Sequence, residues 1–264
     1  MMDDALARGL EAIYERYNRR EFVHPDPLEF LYAYDRLEDR EIAGLVASGL
    51  AYGRVSRILH SVGSVLDVLG PGPSAFLADT PSRRLGELFS GFRHRFTDGG
   101  EVSALLSSVS AVQREHGTLG NLVREFSGTC GFQGAMDSLV SILLDGTGRD
   151  RNSLLPRPCL GSACKRLNLF ARWMVRRDDV DPGGWEGIPP SELLVPLDVH
   201  MYRAGTALGF TRRRAADCRT ATEITEGFRS ICPEDPVKYD FAVTRYGILG
   251  LGSERLFRDL FGTS

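Results

Sequence analysis

"REIAGLVASGLAYGRVSRILHSVGSVLDVLG", residues 40–70, decides the fold class of this chain. Apolar side chains fall at 42, 45, 46 and 50, then at 55, 58, 59, 62, 65, 66 and 69. Steps of three and four put such residues on one face of a helix, so the stretch predicts helices that each bury a single stripe. Gly70, Pro71, Gly72 and Pro73 then break the pattern. Working outward, "VSALLSSVSAVQREHG" (102–117), "LGNLVREFSG" (119–128) and "AMDSLVSILLDG" (135–146) read as further helices stopped by glycine. Residues 145–163 are rich in Gly, Pro, Ser and Arg and read as a long loop.

A helix follows in "GSACKRLNLFARWMVR" (161–176). Ser162 is a good N-cap and would place Lys165 at the third helical position. Leu167, Phe170, Ala171, Met174 and Val175 form the apolar stripe. The stretch 178–194 reads as a loop with one short turn. "PLDVHMYRAGTALGF" (196–210) opens with Asp198 as N-cap and closes at Gly209, and a last helix is expected to start near Asp235–Pro236. Convincing alternating strands and internal repeats are absent. The fold class is all-α.

The 264 residues are enough for one large domain or two small lobes. Hydrophobic content of 42% and charged content of 25% describe a water-soluble globular chain. The acidic start "MMDDALARG" is no signal peptide, and no apolar run approaches the length of a membrane span, so a cytoplasmic location is expected. Five cysteines (130, 159, 164, 218, 232) without C-x-x-C spacing read as reduced thiols and not as a metal or iron–sulfur site. The net charge of −3 does not favour a nucleic-acid partner, although arginines cluster at 93–95, 176–177 and 212–214.

Thirty of the 32 basic residues are arginines; the two lysines are Lys165 and Lys238. An ammonium at a helix N-terminus faces the positive end of the dipole, and Arg166 is adjacent. Both favour the neutral amine, which is a nucleophile suited to Schiff-base chemistry, whereas arginine stays protonated. The same lysine also reads as an ordinary surface residue. Asp198 has two readings as well: a structural cap, or a carboxylate that stabilises cationic charge and moves protons beside that amine.

Three segments carry a resemblance: "LPRPCLGSACKRLNLFARWMVRRDDVD" (155–181), "IPPSELLVPLDVHMYRAGTALGFT" (188–211) and "PEDPVKYDFAVTRYGI" (233–248). With "DREIAGLVASGLAYGRV" (39–55), they resemble an uncharacterised bacterial family carried as a domain of unknown function. That family is similar to the helix-hairpin-helix DNA glycosylases, nearest the archaeal 8-oxoguanine DNA glycosylase group. "VPLDVHMYRAGTALGF" resembles the glycosylase segment in which a catalytic Asp precedes a His and an Arg and ends in Leu-Gly.

The resemblance implies a single helical domain of two lobes, about 36–146 and about 1–35 with 147–264, and a base pocket between them. It implies Lys165 and Asp198 as catalytic residues, and Asp240 as an acidic contact to a flipped base. Thr244 stands where an aromatic is expected one turn later, and Tyr52 could stack on a base or fill a wedge position. Gly161 and Ser162, all that remains of the Gly-x-Gly hairpin turn in "CLGSA", fall with His200 on the DNA-backbone side. No cofactor and no metal is implied. The expected activity is base excision with β-lyase strand cleavage on a damaged purine such as 8-oxoguanine, and the partner is damaged duplex DNA. Two alternatives stay open: a non-catalytic nucleic-acid-binding protein on the same fold, and an enzyme acting on free nucleosides or nucleotides.

Overall fold

A computed structural model describes residues 2–249 together with 251, 256, 259 and 260. The stretch 40–70 forms two helices, α2 (Leu37–Gly49) and α3 (Val55–Leu69), with α1 (Met2–Tyr17) before them. Ile58, Val62, Val65, Leu66 and Leu69 of α3 are buried, as the spacing of three and four requires. α2 is buried on nearly every side. Its neighbours are α3, α4 (Pro73–Asp79), α6 (Gly99–His116) and α8 (Lys165–Val175), so it joins the first third of the chain to the middle third. α5 (Ser82–Leu88) packs on α6.

The two helices expected at 119–128 and 135–146 are one run, α7 (Leu119–Thr147), broken by the non-helical Gly131 at φ 72° and ψ 169°. α7 starts where α2 can hold it. Glu41 is fully buried, and its carboxylate accepts the Leu119 and Gly120 amides at 2.8 Å and the Trp185 indole N–H at 2.7 Å. Burial pushes Glu41 up to about 7, against the hydrogen bonds that favour its ionised form. Position 120 must be glycine, because a Cβ there would lie 2.4 Å from the Trp185 ring.

α9 (Val199–Ala207) is capped by Asp198, as expected. α10 (Cys218–Arg229) was not anticipated. Two of its five buried residues are threonines, so its apolar stripe is thin, and Asp217 caps it. α11 (Asp240–Ile248) starts five residues after Asp235, because 235–239 is taken up by tight turns. It packs on α9 and on α1. A two-residue-per-strand hairpin, β1 (Arg93–His94) with β2 (Thr97–Asp98), is the sheet among the described residues. The protein is thus mostly helical. No helix among the described residues is long and apolar enough to cross a membrane.

One cap is corrected. The N-cap of α8 is Cys164, at φ 44° and ψ 38°, and Lys165 is the first helical residue, not the third. Ser162 lies two residues upstream. Its backbone bridges to Asp217, and its hydroxyl accepts the Cys164 amide at 3.3 Å. Pairing with the start of α10 holds Ser162 outside the helix and delays the first helical turn.

Candidate active site

Lys165 opens α8 and Asp198 caps α9, 33 positions apart in sequence, and the fold brings them together. Lys165 Nζ lies 3.8 Å from Asp198 Oδ2, with the side chains 36% and 21% exposed. The other carboxylate oxygen, Oδ1, accepts the His200 and Met201 amides at 2.8 Å each. One oxygen therefore caps the helix and fixes the side chain, while the other is presented to the amine.

Lys165 also lines a cavity of about 260 Å³ between α3, α8, α11 and the 3-10 turn at 27–33. Its apolar wall includes Ala51, Ile58, Leu169, Phe241 and Ile248, and its polar wall includes Arg172, Asp240 and Arg245. Thr244 lines it too, with its hydroxyl donated to the Asp240 carbonyl at 2.9 Å.

Asp240 is 3% exposed. Its Oδ2 accepts Arg172 Nη1, whereas its Oδ1 is buried with no hydrogen-bond partner among the described residues. Burial pushes the Asp240 carboxyl up to about 6; Arg172 opposes that shift, and the negative charge of Asp198 adds to it. Arg245, also 3% exposed, sits with its guanidinium 4.1 Å from the centre of the Phe241 ring. It donates to the Phe22 carbonyl at 3.1 Å and to Asp26 at 3.0 Å, and its Nε has no partner among the described residues. Behind this wall one acceptor and one donor are therefore buried without a partner among the described residues, and each such group costs about 1–3 kcal/mol.

Arg172 is held from behind. It donates to Asp181 at 3.0 and 3.1 Å, and Arg176 closes the network onto Asp181, Asp178 and Asp235. Burial opposes the charge of Arg172, but Asp181 and Asp240 outweigh it and hold the guanidinium protonated.

The remaining expected residues lie around this centre. His200 packs against α11: a Cβ on Gly247 would fall 2.0 Å from His200 Nδ1. Gly161 is exposed at φ 76°, with its amide donated to the Pro158 carbonyl at 3.0 Å and its carbonyl accepting the Cys218 amide at 3.1 Å. Tyr52 does not line the cavity, although its neighbours Ala51 and Gly53 do. Its hydroxyl is tied to the His94 carbonyl at 2.9 Å and to Thr97 Oγ1 at 2.5 Å, which turns the ring toward the β1–β2 hairpin.

Arg172 and Arg245 were missed by the sequence reading. A signal for the first exists: Lys165, Leu169, Arg172 and Arg176 recur at i, i+4, i+7 and i+11 beside the apolar stripe of α8. Among the described residues, no three His, Cys, Asp or Glu side chains converge as a metal site.

The fold and site define a helical protein with a lysine–carboxylate pair beside a cavity whose polar wall includes Arg172, Asp240 and Arg245. The chain belongs to a family described as "Protein of unknown function (DUF2400)", whose match spans residues 26–249 and so contains Lys165, Asp198, Arg172, Asp240 and Arg245. No curated protein and no solved structure matches it.

Proposed function

We propose that this protein is a base-excision DNA glycosylase with β-lyase activity on a damaged purine such as 8-oxoguanine, with Lys165 as nucleophile and Asp198 as its carboxylate partner. The observation that supports the reading is Lys165 Nζ, 3.8 Å from Asp198 Oδ2, with Lys165 on the wall of a cavity that Asp240 and Arg245 also line. A base turned out of the duplex into that cavity would have the polar side chains of Arg172, Asp240 and Arg245 on one wall and apolar side chains against its faces.

The chemistry follows from the amine. Neutral Lys165 attacks C1′, the C1′–N bond breaks, and its electron pair leaves with the base, which takes up a proton. Opening of the sugar ring gives a Schiff base. Loss of a C2′ proton expels the 3′ phosphate and cuts the strand, and water then releases Lys165. The Asp198 carboxylate stabilises the positive charge that builds at C1′ and on the amine, and it accepts and returns protons there. Its capping bonds keep it in place through these steps.

Borohydride trapping across a panel of lesion-bearing and abasic oligonucleotides tests this, because hydride reduces the Schiff base to a stable amine link. Wild type should give a covalent protein–DNA product. Lys165→Arg keeps the charge, so it should bind DNA and lose the product; Lys165→Gln should also bind more weakly. Lys238 is the control: its Nζ is held by Glu11 at 2.7 Å, and Lys238→Arg should still trap. DNA binding by wild type with no covalent product on any substrate would favour the non-catalytic alternative. A product that survives Lys165→Arg refutes the assignment.

A further inference from the structure

Phe96 is an aromatic side chain that the fold leaves mostly in solvent. It is 61% exposed, at the tip of the β1–β2 hairpin, and exposed arginines flank it at 93 and 95. No carboxylate lies within ion-pair distance of Arg93 or Arg95 among the described residues. The hairpin itself is firmly held. His94 is buried, with Nδ1 2.8 Å from Ser61 Oγ and Nε2 3.0 Å from the Tyr52 carbonyl, and Thr97 is buried against Tyr52 and Ser153. Arg95 sits at φ 54°, a left-handed conformation that costs a non-glycine residue energy and turns the chain so that Phe96 projects. The Phe96 ring stacks on Tyr52 with centroids 4.7 Å apart and planes 15° apart. The exposed ring is therefore held in one orientation by a hydrogen-bonded aromatic beneath it.

Its position relates directly to the candidate site. Tyr52 lies between Ala51 and Gly53, which line the cavity, and Arg166, next to Lys165, places its guanidinium 5.0 Å from the centre of the Tyr52 ring. A Cβ on Gly53 would touch the Arg95 side chain at 3.2 Å, so the hairpin rests on the cavity rim. On the far side of Phe96 a groove is lined by Arg151, Arg157 and Leu160, the last 77% exposed beside Gly161. Glu101, the carboxylate in that groove, is occupied by the Ser153 amide and hydroxyl at 2.6 and 2.8 Å. The surface around the ring is thus cationic and apolar, which suits a phosphate backbone with stacked bases between its strands.

We propose that Phe96 is the wedge that enters the base stack of duplex DNA and fills the gap left by the nucleotide turned into the Lys165 cavity. This inference rests on the glycosylase reading and adds the positioning residue for it. Insertion replaces the stacking lost by the neighbouring bases, and Tyr52 fixes the ring beforehand, so little side-chain freedom is lost on binding. Arg93 and Arg95 take the flanking phosphates.

The test uses the full-length protein and a duplex with 2-aminopurine at the position of the base that is turned out; its fluorescence rises when it leaves the stack, and the reading needs no catalysis. Wild type should raise the fluorescence. Phe96→Ala should abolish the rise and lower the ratio of duplex to single-strand borohydride trapping roughly ten- to hundredfold. Phe96→Trp should restore both. Because the side chain is mostly exposed, Phe96→Ala should keep the helical circular dichroism and unfolding temperature of wild type. If Phe96→Ala raises the fluorescence and traps on duplex as wild type does, the wedge is wrong while the glycosylase reading stands. If wild type traps on no substrate and leaves the fluorescence unchanged, both fall.

Discussion

Asp198→Asn separates the capping role of this carboxylate from the chemical role proposed for it, because the structure gives each oxygen its own partner. Oδ1 accepts two backbone amides at 2.8 Å, and an asparagine oxygen does the same. As N-caps the two residues are nearly equivalent, which leaves a cap difference of about 0.3 kcal/mol. Loss of the negative charge at the α9 N-terminus removes about 0.5 kcal/mol of dipole stabilisation. The ion pair at 3.8 Å is open to solvent on both sides, so screening limits it to about 0.5 kcal/mol. The sum is about 1 kcal/mol, or about 2–4 °C in unfolding temperature for a chain of this size. Asp198→Ala also leaves the His200 and Met201 amides without their cap and should cost about 1 kcal/mol more.

Activity should order differently. Both variants lack the charge beside Lys165, so both should lose about 10²- to 10⁴-fold in single-turnover cleavage. Thermal unfolding and borohydride trapping on the same samples read the two effects. If activity falls with stability, with Asn close to wild type and Ala far below, Asp198 is a helix cap alone. Wild-type turnover in Asp198→Asn would refute its chemical role outright.

The other predictions concern the frame of the site. Burial holds the Asp240 carboxyl at about 6 in the fold, above its ordinary 3.8, so the folded state binds more protons between those values and stability falls as pH rises through that window. Asp240→Asn should remove this contribution: the stability difference, wild type minus variant, should shrink from pH 4 to pH 6 in urea titrations, and parallel curves would contradict the burial argument. Glu41→Gln places an amide N–H₂ against buried backbone donors at the start of α7 and should cost about 2–3 kcal/mol in urea unfolding; a loss below about 0.5 kcal/mol would mean these donors find other partners. Gly247→Ala sets a methyl 2.0 Å from His200 Nδ1 and should cost about 1–3 kcal/mol while displacing the cap of α9, so trapping should fall with it. Adding His200→Ala should recover most of that stability, and a double variant no better than the single would place the strain elsewhere.

Much of the helical framework is legible in the sequence because its cause is local. The stripe 58, 62, 65, 66 and 69 faces inward in any context, Asp198 caps the helix that follows it, and Gly209 ends that helix at φ 78°. Lys165 stands out in a chain of arginines, and its chemistry is a property of the amine itself. Where local signals fail, a distant partner is responsible. Ser162 looks like a cap, yet backbone pairing with Asp217 takes it out of the helix. The inner face of α10 carries Thr220 and Thr225, whose burial depends on neighbours far along the chain, so its stripe recurs at helical spacing but is only weakly apolar. Tyr52 reads as a base-stacking residue by type, and only its bonds to His94 and Thr97 direct it to the hairpin.

The site as an arrangement belongs to the tertiary structure alone. Spacing of 33 residues says nothing about 3.8 Å; packing of α8 and α9 within one core sets it. Arg245 carries no mark of burial in its own segment, and the spacing of Arg172 beside the α8 stripe gives its face but not its burial, because a charged side chain enters a core only when carboxylates from other elements, here Asp181, Asp240 and Asp26, offset its lost hydration. The unpaired oxygen of Asp240 and the projecting ring of Phe96 arise the same way. Each is defined by what surrounds it, and those surroundings come from segments that meet only when the chain has folded.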